Sequence, residues 1–172
     1  MKFIASNSDR WTRVDDHLVD RAPYRLLTLA QWQDVHLSWP TDMPVGLVLS
    51  NSDDVRALEG SLSRFAAIAL HFPKWTDGRA YSQARLLRVR LHYTGDIRAM
   101  GDVLVDMALP LARTGFDTAV LRADQDLEVA QQALRFFEGL LSSPGQPAIA
   151  DRSAYYQGDA LDPDPVFRKV AA

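Results

Sequence analysis

Gly46-Leu47-Val48-Leu49, running into Asn51-Ser52-Asp53-Asp54 and then Val55, Leu58, Leu62 and Phe65, decides how this chain is read. The first four residues are a short continuous apolar run, as expected for a strand buried on both faces. The polar quartet supplies capping side chains and negative charge where a helix would begin. The apolar residues beyond it recur at helical spacing. A buried strand followed at once by a helix is half of a β-α-β unit, and units of this kind build parallel sheets.

The rhythm repeats downstream. Ala66 to Leu70 reads as a second strand and Gly78 to His92 as a second helix. Ile97 to Met100 and Val103 to Ala112 form a third pair, and Thr118 to Leu121 with Asp124 to Glu138 a fourth. Pro110 is expected to kink or end the third helix, and Gly115 to stop it. On the last helix Leu127, Ala130, Leu134 and Phe137 share a face. These four units predict an α/β fold with a parallel sheet. An open three-layer arrangement is the first expectation and half of a β/α barrel its competitor, since alternation does not fix strand order.

Upstream, residues 1–22 read as a polar surface arm with a short strand at Phe3-Ile4. Tyr24 to Leu29 is apolar enough for a strand, and Leu29 to Trp39 for a short helix. Trp32 and Trp39 are expected at a core edge, with an exposed docking pair as the alternative. Residues 1–140 make a single domain on this reading. Residues 141–172, with Ser142-Ser143-Pro144-Gly145 and Asp162-Pro163-Asp164-Pro165, read as a mobile tail that Tyr155-Tyr156 would anchor.

Bulk composition narrows the function. The 172 residues are 47% hydrophobic and carry a net charge of −3, against general nucleic-acid binding. No apolar run approaches the ~20 residues of a bilayer span. The first residues lack the order of a signal peptide, so the cytoplasm is the expected location. The absence of cysteine excludes disulfides, thiol nucleophiles and cysteine-ligated metals. His17, His36, His71 and His92 show no ligand spacing, so no metal site is expected. The glycines match neither a dinucleotide fingerprint nor a phosphate-binding loop, and Gly-x-Ser-x-Gly is missing. Any cofactor stays unidentified at this stage.

In parallel α/β sheets, sites form beyond the carboxyl ends of strands. That rule nominates the turns Asn51 to Asp54, Lys74 to Arg79, Gly101-Asp102 and Arg122 to Asp124. The second is the richest. Helical spacing places Tyr81, Arg85, Arg88 and His92 on one stripe. Lys74, Arg79, Arg85 and the amides after Gly78 could converge on a small oxyanion, with hydroxyls from Tyr81 and Ser82 and with Asp77 and Asp102 orienting the arginines. The competing reading is a solvated basic face paired with Asp102 or Asp106. Asp102 and Asp106 are expected one turn apart on the third helix, where they would cap it or act in catalysis.

Phe72-Pro73-Lys74-Trp75-Thr76-Asp77-Gly78-Arg79-Ala80-Tyr81-Ser82 with Ala84-Arg85-Leu86-Leu87-Arg88 resembles the signature of a bacterial family of unknown function. Its members are often labelled probable oxidoreductases involved in sulfite reduction. The likeness continues through Gly95-Asp96-Ile97-Arg98-Ala99-Met100-Gly101-Asp102-Val103-Leu104-Val105-Asp106 and Arg113-Thr114-Gly115-Phe116-Asp117, covering roughly residues 45–140. The chain departs from the pattern at Ala80, where the family has Gly, and at Met107, where it has Gln. The resemblance implies assimilatory sulfur metabolism. The leading expectation is therefore an accessory protein of sulfite reduction that binds an oxyanion or the reductase through Lys74, Asp77, Gly78, Arg79, Tyr81, Ser82, Arg85 and Arg88. A second is a small-molecule enzyme with a borrowed cofactor, Asp102 as base and Tyr81 as acid. A third is a homo-oligomeric interaction module built on the apolar third helix or the tryptophans.

Overall fold

The apolar runs form strands. The computed structural model describes residues 1–14 and 19–141. Its strands are β1 (Lys2–Ala5), β2 (Thr12–Arg13), β3 (Arg25–Leu27), β4 (Val45–Leu49), β5 (Ala67–Phe72), β6 (Asp96–Gly101) and β7 (Thr118–Leu121). They make one sheet in the order β1-β7-β6-β5-β4-β3-β2, with every neighbouring pair parallel. The helices are α1 (Leu29–Val35), α2 (Arg79–Arg85), α3 (Ala108–Thr114) and α4 (Leu127–Leu141).

From β2 to β7 each strand lies beside its successor in sequence. Right-handed crossovers then put all helices on one side of the sheet. One core joins Leu47, Leu49, Ile68, Leu70 and Ile97 to Trp32 of α1, Ala84 of α2, Leu111 of α3 and Leu134 of α4. The opposite face carries Leu26, Val48, Ala67 and Ala69, and packs on Trp11. The architecture is a half-barrel with its helices outside. The three-layer arrangement, which needs helices on both faces, is not adopted.

Chain length forces the curl. In a flat sheet, six inter-strand spacings of about 4.8 Å would separate β1 from β2 by about 29 Å. The connection from Ala5 to Thr12 reaches about 25 Å when fully extended, and its Ser6–Ser8 segment is a compact 3-10 turn. The two edges must therefore approach each other. The connection also returns through the concave side. Asp9 meets Arg98 of β6 at 2.5 Å, and Trp11, 5% exposed, covers the floor of the trough. Gly46 permits that contact, because a Cβ there would stand 2.8 Å from the Ala67 carbonyl oxygen and 3.0 Å from the Trp11 ring. The expected surface arm is thus two edge strands and a core tryptophan. The segments 15–18 and 142–172, the expected tail and Tyr155-Tyr156 among them, lie outside the described residues, as does the side chain of Phe137.

Three helical expectations are corrected. Between β4 and β5 the chain makes two 3-10 turns, Val55–Leu58 and Leu62–Arg64, in place of one helix. Gly60 and Ser61 separate them, and an interior glycine costs a helix about 1 kcal/mol. The third helix begins late, with a 3-10 turn at Val105–Met107 before α3. Pro110 does not end it, for Pro110 is the third residue of α3. First-turn N–H groups have no intrahelical acceptor, so a proline loses nothing there. Gly115, with φ of 106°, closes the helix as expected. The second helix changes gauge, from α over Arg79–Arg85 to π over Leu86–Arg90. Trp32 and Trp39 are both buried, on the core side of the two readings.

Candidate functional site at the carboxyl edge

All seven strands point the same way, so their carboxyl ends share one edge. The turns there are stitched into a continuous polar rim. Asn51, after β4, donates its side-chain amide to Asp77, after β5, at 2.6 Å. Gln83 of α2 reaches back to the Ser50 and Asp53 carbonyls at 2.7 and 2.9 Å. The Trp75 backbone N–H donates to Asp102, after β6, at 2.9 Å. Arg122, after β7, donates to the other oxygen of Asp102 at 2.6 Å, and grips Asp124 with two further donors at 2.6 and 2.7 Å.

The rim arginines are therefore engaged. Arg79 binds Asp77 side-on through its Nε and terminal nitrogen at 3.0 and 2.7 Å. That pairing, with Asn51 as the last contributor, holds the Asp77 carboxyl down at about 2. The Trp75 N–H, and then Arg122, hold Asp102 below its ordinary value. Asp124 is held at about 2 by Arg122. Each carboxylate is fixed in its ionised form, a poor setting for a general base near neutral pH.

The structure divides the expected site residues. Lys74, Asp77, Gly78, Arg79 and Ser82 come together on the turn after β5 and the start of α2, all exposed except half-buried Asp77. Tyr81 is half-buried against Phe72 and Phe116, with ring centroids 5.2 and 6.3 Å away, and burial raises its phenol. No hydrogen bond joins Tyr81 to Asp102 among the described residues. Arg85 is half-buried and partnered.

Arg88 leaves the expected set. It is 7% exposed and donates to the carbonyls of Gly115, Tyr93 and Gly95 and to the Asp117 carboxylate. The cause is the π segment, in which Leu91 N–H reaches the Leu86 carbonyl. A π turn takes more residues per revolution than an α turn, so positions counted at 3.6 slip out of phase. Arg88 turns inward, and His92, in the left-handed region, ends the stripe. Asp102 also moves. It sits in the turn after β6, away from Asp106 on the following 3-10 turn, and its arginine is Arg122 in place of Arg79 or Arg85.

Sequence reasoning nominates the turns that hold Asn51, Arg122 and Asp124 but does not reveal these three as working members of the rim. It also misses the trough. Its mouth is a cavity of about 380 Å³ bounded by Arg13 at the end of β2, Thr28 after β3, Val48 and Ser50 at the end of β4, Asp53, and His71 of β5. His71 is driven below its ordinary value by burial and then by the nearby Arg13 cation. The only available signal was His71 itself, four residues along from Ala67 on the concave face.

A parallel half-barrel with a polar carboxyl rim and a partly filled trough defines the class of this molecule. The chain belongs to the family described as bacterial protein of unknown function, DUF934, whose model matches residues 46–167. No curated protein matches the chain. Among the described residues no helix is long and apolar enough to cross a membrane.

Proposed function

We propose that this protein is an accessory of assimilatory sulfite reduction in the bacterial cytoplasm, and that it engages the reductase through the turn after β5. The supporting observation is Trp75. It is 54% exposed, while its own backbone N–H is tethered to Asp102. An aromatic side chain held out on an anchored turn is a good hot-spot residue, because little freedom remains to be lost on binding. Lys74 beside it adds a cation suited to an acidic partner surface. The other tryptophans, Trp11, Trp32 and Trp39, are buried, so Trp75 is the exposed one of the four. A partner surface is favoured over a free oxyanion, since Arg79 and Arg122 already hold carboxylates.

Binding of the purified chain to sulfite reductase, measured by biolayer interferometry, tests this reading. Trp75→Ala is expected to weaken binding by about thirtyfold, the loss of one hot-spot aromatic. No binding by the wild type, or equal binding by the variant, overturns the docking surface. A deletion strain that grows normally on sulfate as sole sulfur source, with no second copy, overturns the pathway. Thermal stabilisation by sulfite that is lost in Lys74→Ala would favour the oxyanion over the partner.

A further inference from the structure

The trough mouth lies apart from the docking turn, and Lys74, Trp75, Asp102 and Arg122 take no part in its lining. We propose that this cavity, between Thr28, Ser50, Asp53 and His71, binds a small neutral polyol: several hydroxyls on a short carbon chain or ring.

Place and size come first. The cavity opens at the carboxyl ends of β3, β4 and β5, the end at which parallel β/α sheets hold their ligands. Its volume of about 380 Å³ falls at the lower end of small-molecule sites, which run from about 300 to 1,000 Å³. Val48, in its lining, belongs to the concave cluster of Trp11, Leu26, Ala67 and Ala69. A ligand therefore meets polar groups at the mouth and an apolar floor beneath.

Hydrogen-bonding capacity then selects the ligand. One oxygen of Asp53 accepts the Ser50 N–H at 2.7 Å. The other accepts no hydrogen bond among the described residues, so it calls for a donor. The Thr28 hydroxyl oxygen accepts the Gln31 N–H at 3.3 Å, and its own proton calls for an acceptor. The His71 ring has no hydrogen-bond partner among the described residues, and burial, then the Arg13 cation, keep it neutral at pH 7. A neutral imidazole carries one donor and one acceptor nitrogen. The ring is also fixed in place: its Nδ1 and Cε1 lie over Gly101, where a Cβ would stand 2.8 Å from each. A hydroxyl both gives and takes a hydrogen bond, so a ligand with several of them can answer all of these groups. Its C–H face rests on the floor.

Charge disfavours the ionic alternatives. Arg13, at one side, is already partnered, yet its positive field reaches His71 and opposes a cation. The Asp53 carboxylate opposes an anion. A neutral ligand meets neither penalty. A simple alcohol would cover the floor but leave most of the polar groups desolvated and unpaired.

Nuclear magnetic resonance of the His71 ring and the Val48 methyls in the full chain gives the test. Erythritol and D-ribose are the probes, with butyrate, butylamine and 1-butanol as charged and apolar controls. Saturable shifts at both residues are expected with at least one polyol and with none of the controls. Asp53→Asn keeps an acceptor for the Ser50 N–H but replaces the free oxygen by a donor, and should weaken polyol binding about tenfold. Ala30→Trp, at an exposed position on the cavity wall, should abolish binding by filling the space. Trp75→Ala should change nothing, which separates this site from the docking turn. No saturable shift with either polyol overturns the proposal, as does a control that binds as tightly as the better polyol or undiminished binding by Asp53→Asn. Should Asp53→Asn fail to fold, Ala30→Trp decides in its place, and unaltered binding by that variant is equally fatal.

Discussion

Asp77 accepts three hydrogen bonds from Arg79, from its backbone N–H and two guanidinium nitrogens, and one from Asn51. This single carboxylate ties the turn after β4 to the start of α2. Its pKa in the folded chain, about 2, lies below the ordinary 3.8. A depressed carboxyl contributes stability that is fully present above its ordinary value, and the contribution is lost as pH falls toward and through about 2. The Asp77 Cγ resonance is therefore expected to titrate near pH 2, and in Arg79→Gln the midpoint should return toward 3.8, the ordinary value. A wild-type midpoint at the ordinary value would dissolve the clamp. Asp77 and Arg79 are two residues apart, and their pairing could be read from sequence. Asp102 and Arg122 are not near in sequence. They meet because β6 and β7 are adjacent, a fact that no local pattern contains.

Elements were legible where apolar runs were continuous, and their gauge was not. Thr118–Leu121 was located to the residue, since a run buried on both faces has sharp ends. The sequence locates the start of the second helix, but a stripe spaced at one period does not describe it throughout. The π segment at Leu86–Arg90 breaks that count, and Arg88 becomes an internal anchor between α2, β6 and the turn before β7. Arg88→Ala would leave the Asp117 carboxylate without its guanidinium, along with three carbonyls that now receive donors. Removing one member of such a buried pair costs about 3–5 kcal/mol. Urea unfolding should show a midpoint lowered by that free energy divided by the slope, with the slope itself unchanged. Arg79→Ala, at an exposed ion pair, should leave the midpoint nearly where it was. Equal losses in the two variants would mean that Arg88 is not the anchor its contacts describe.

At the scale of the whole molecule, the decisive feature is the short connection through the trough. The family match begins at residue 46, inside β4, so β1, β2, β3 and Trp11 precede it. These residues are nonetheless part of the same cooperative unit. β3 covers the free edge of β4, β1 covers that of β7, and Trp11 caps the concave apolar floor. Arg98, 1% exposed, loses Asp9 if they are absent and keeps only Asp96, at 2.7 Å. Polarity makes this region look like an arm, because its strands are short and its buried side chains, Phe3 and Trp11, stand apart among polar residues. A fragment starting at residue 42 is expected to show no cooperative thermal transition by circular dichroism, having gained two open strand edges and an uncovered floor. The milder test is Trp11→Ala in the full chain. Truncating a buried tryptophan costs about 3–5 kcal/mol, a large share of the ~5–15 kcal/mol that holds a domain of this size together. The midpoint of urea unfolding should fall accordingly, while Leu37→Ala, which removes a fully solvated side chain, serves as the control. A fragment that melts as sharply as the full chain, or a Trp11→Ala protein as stable as the Leu37→Ala control, would return residues 1–14 to the surface.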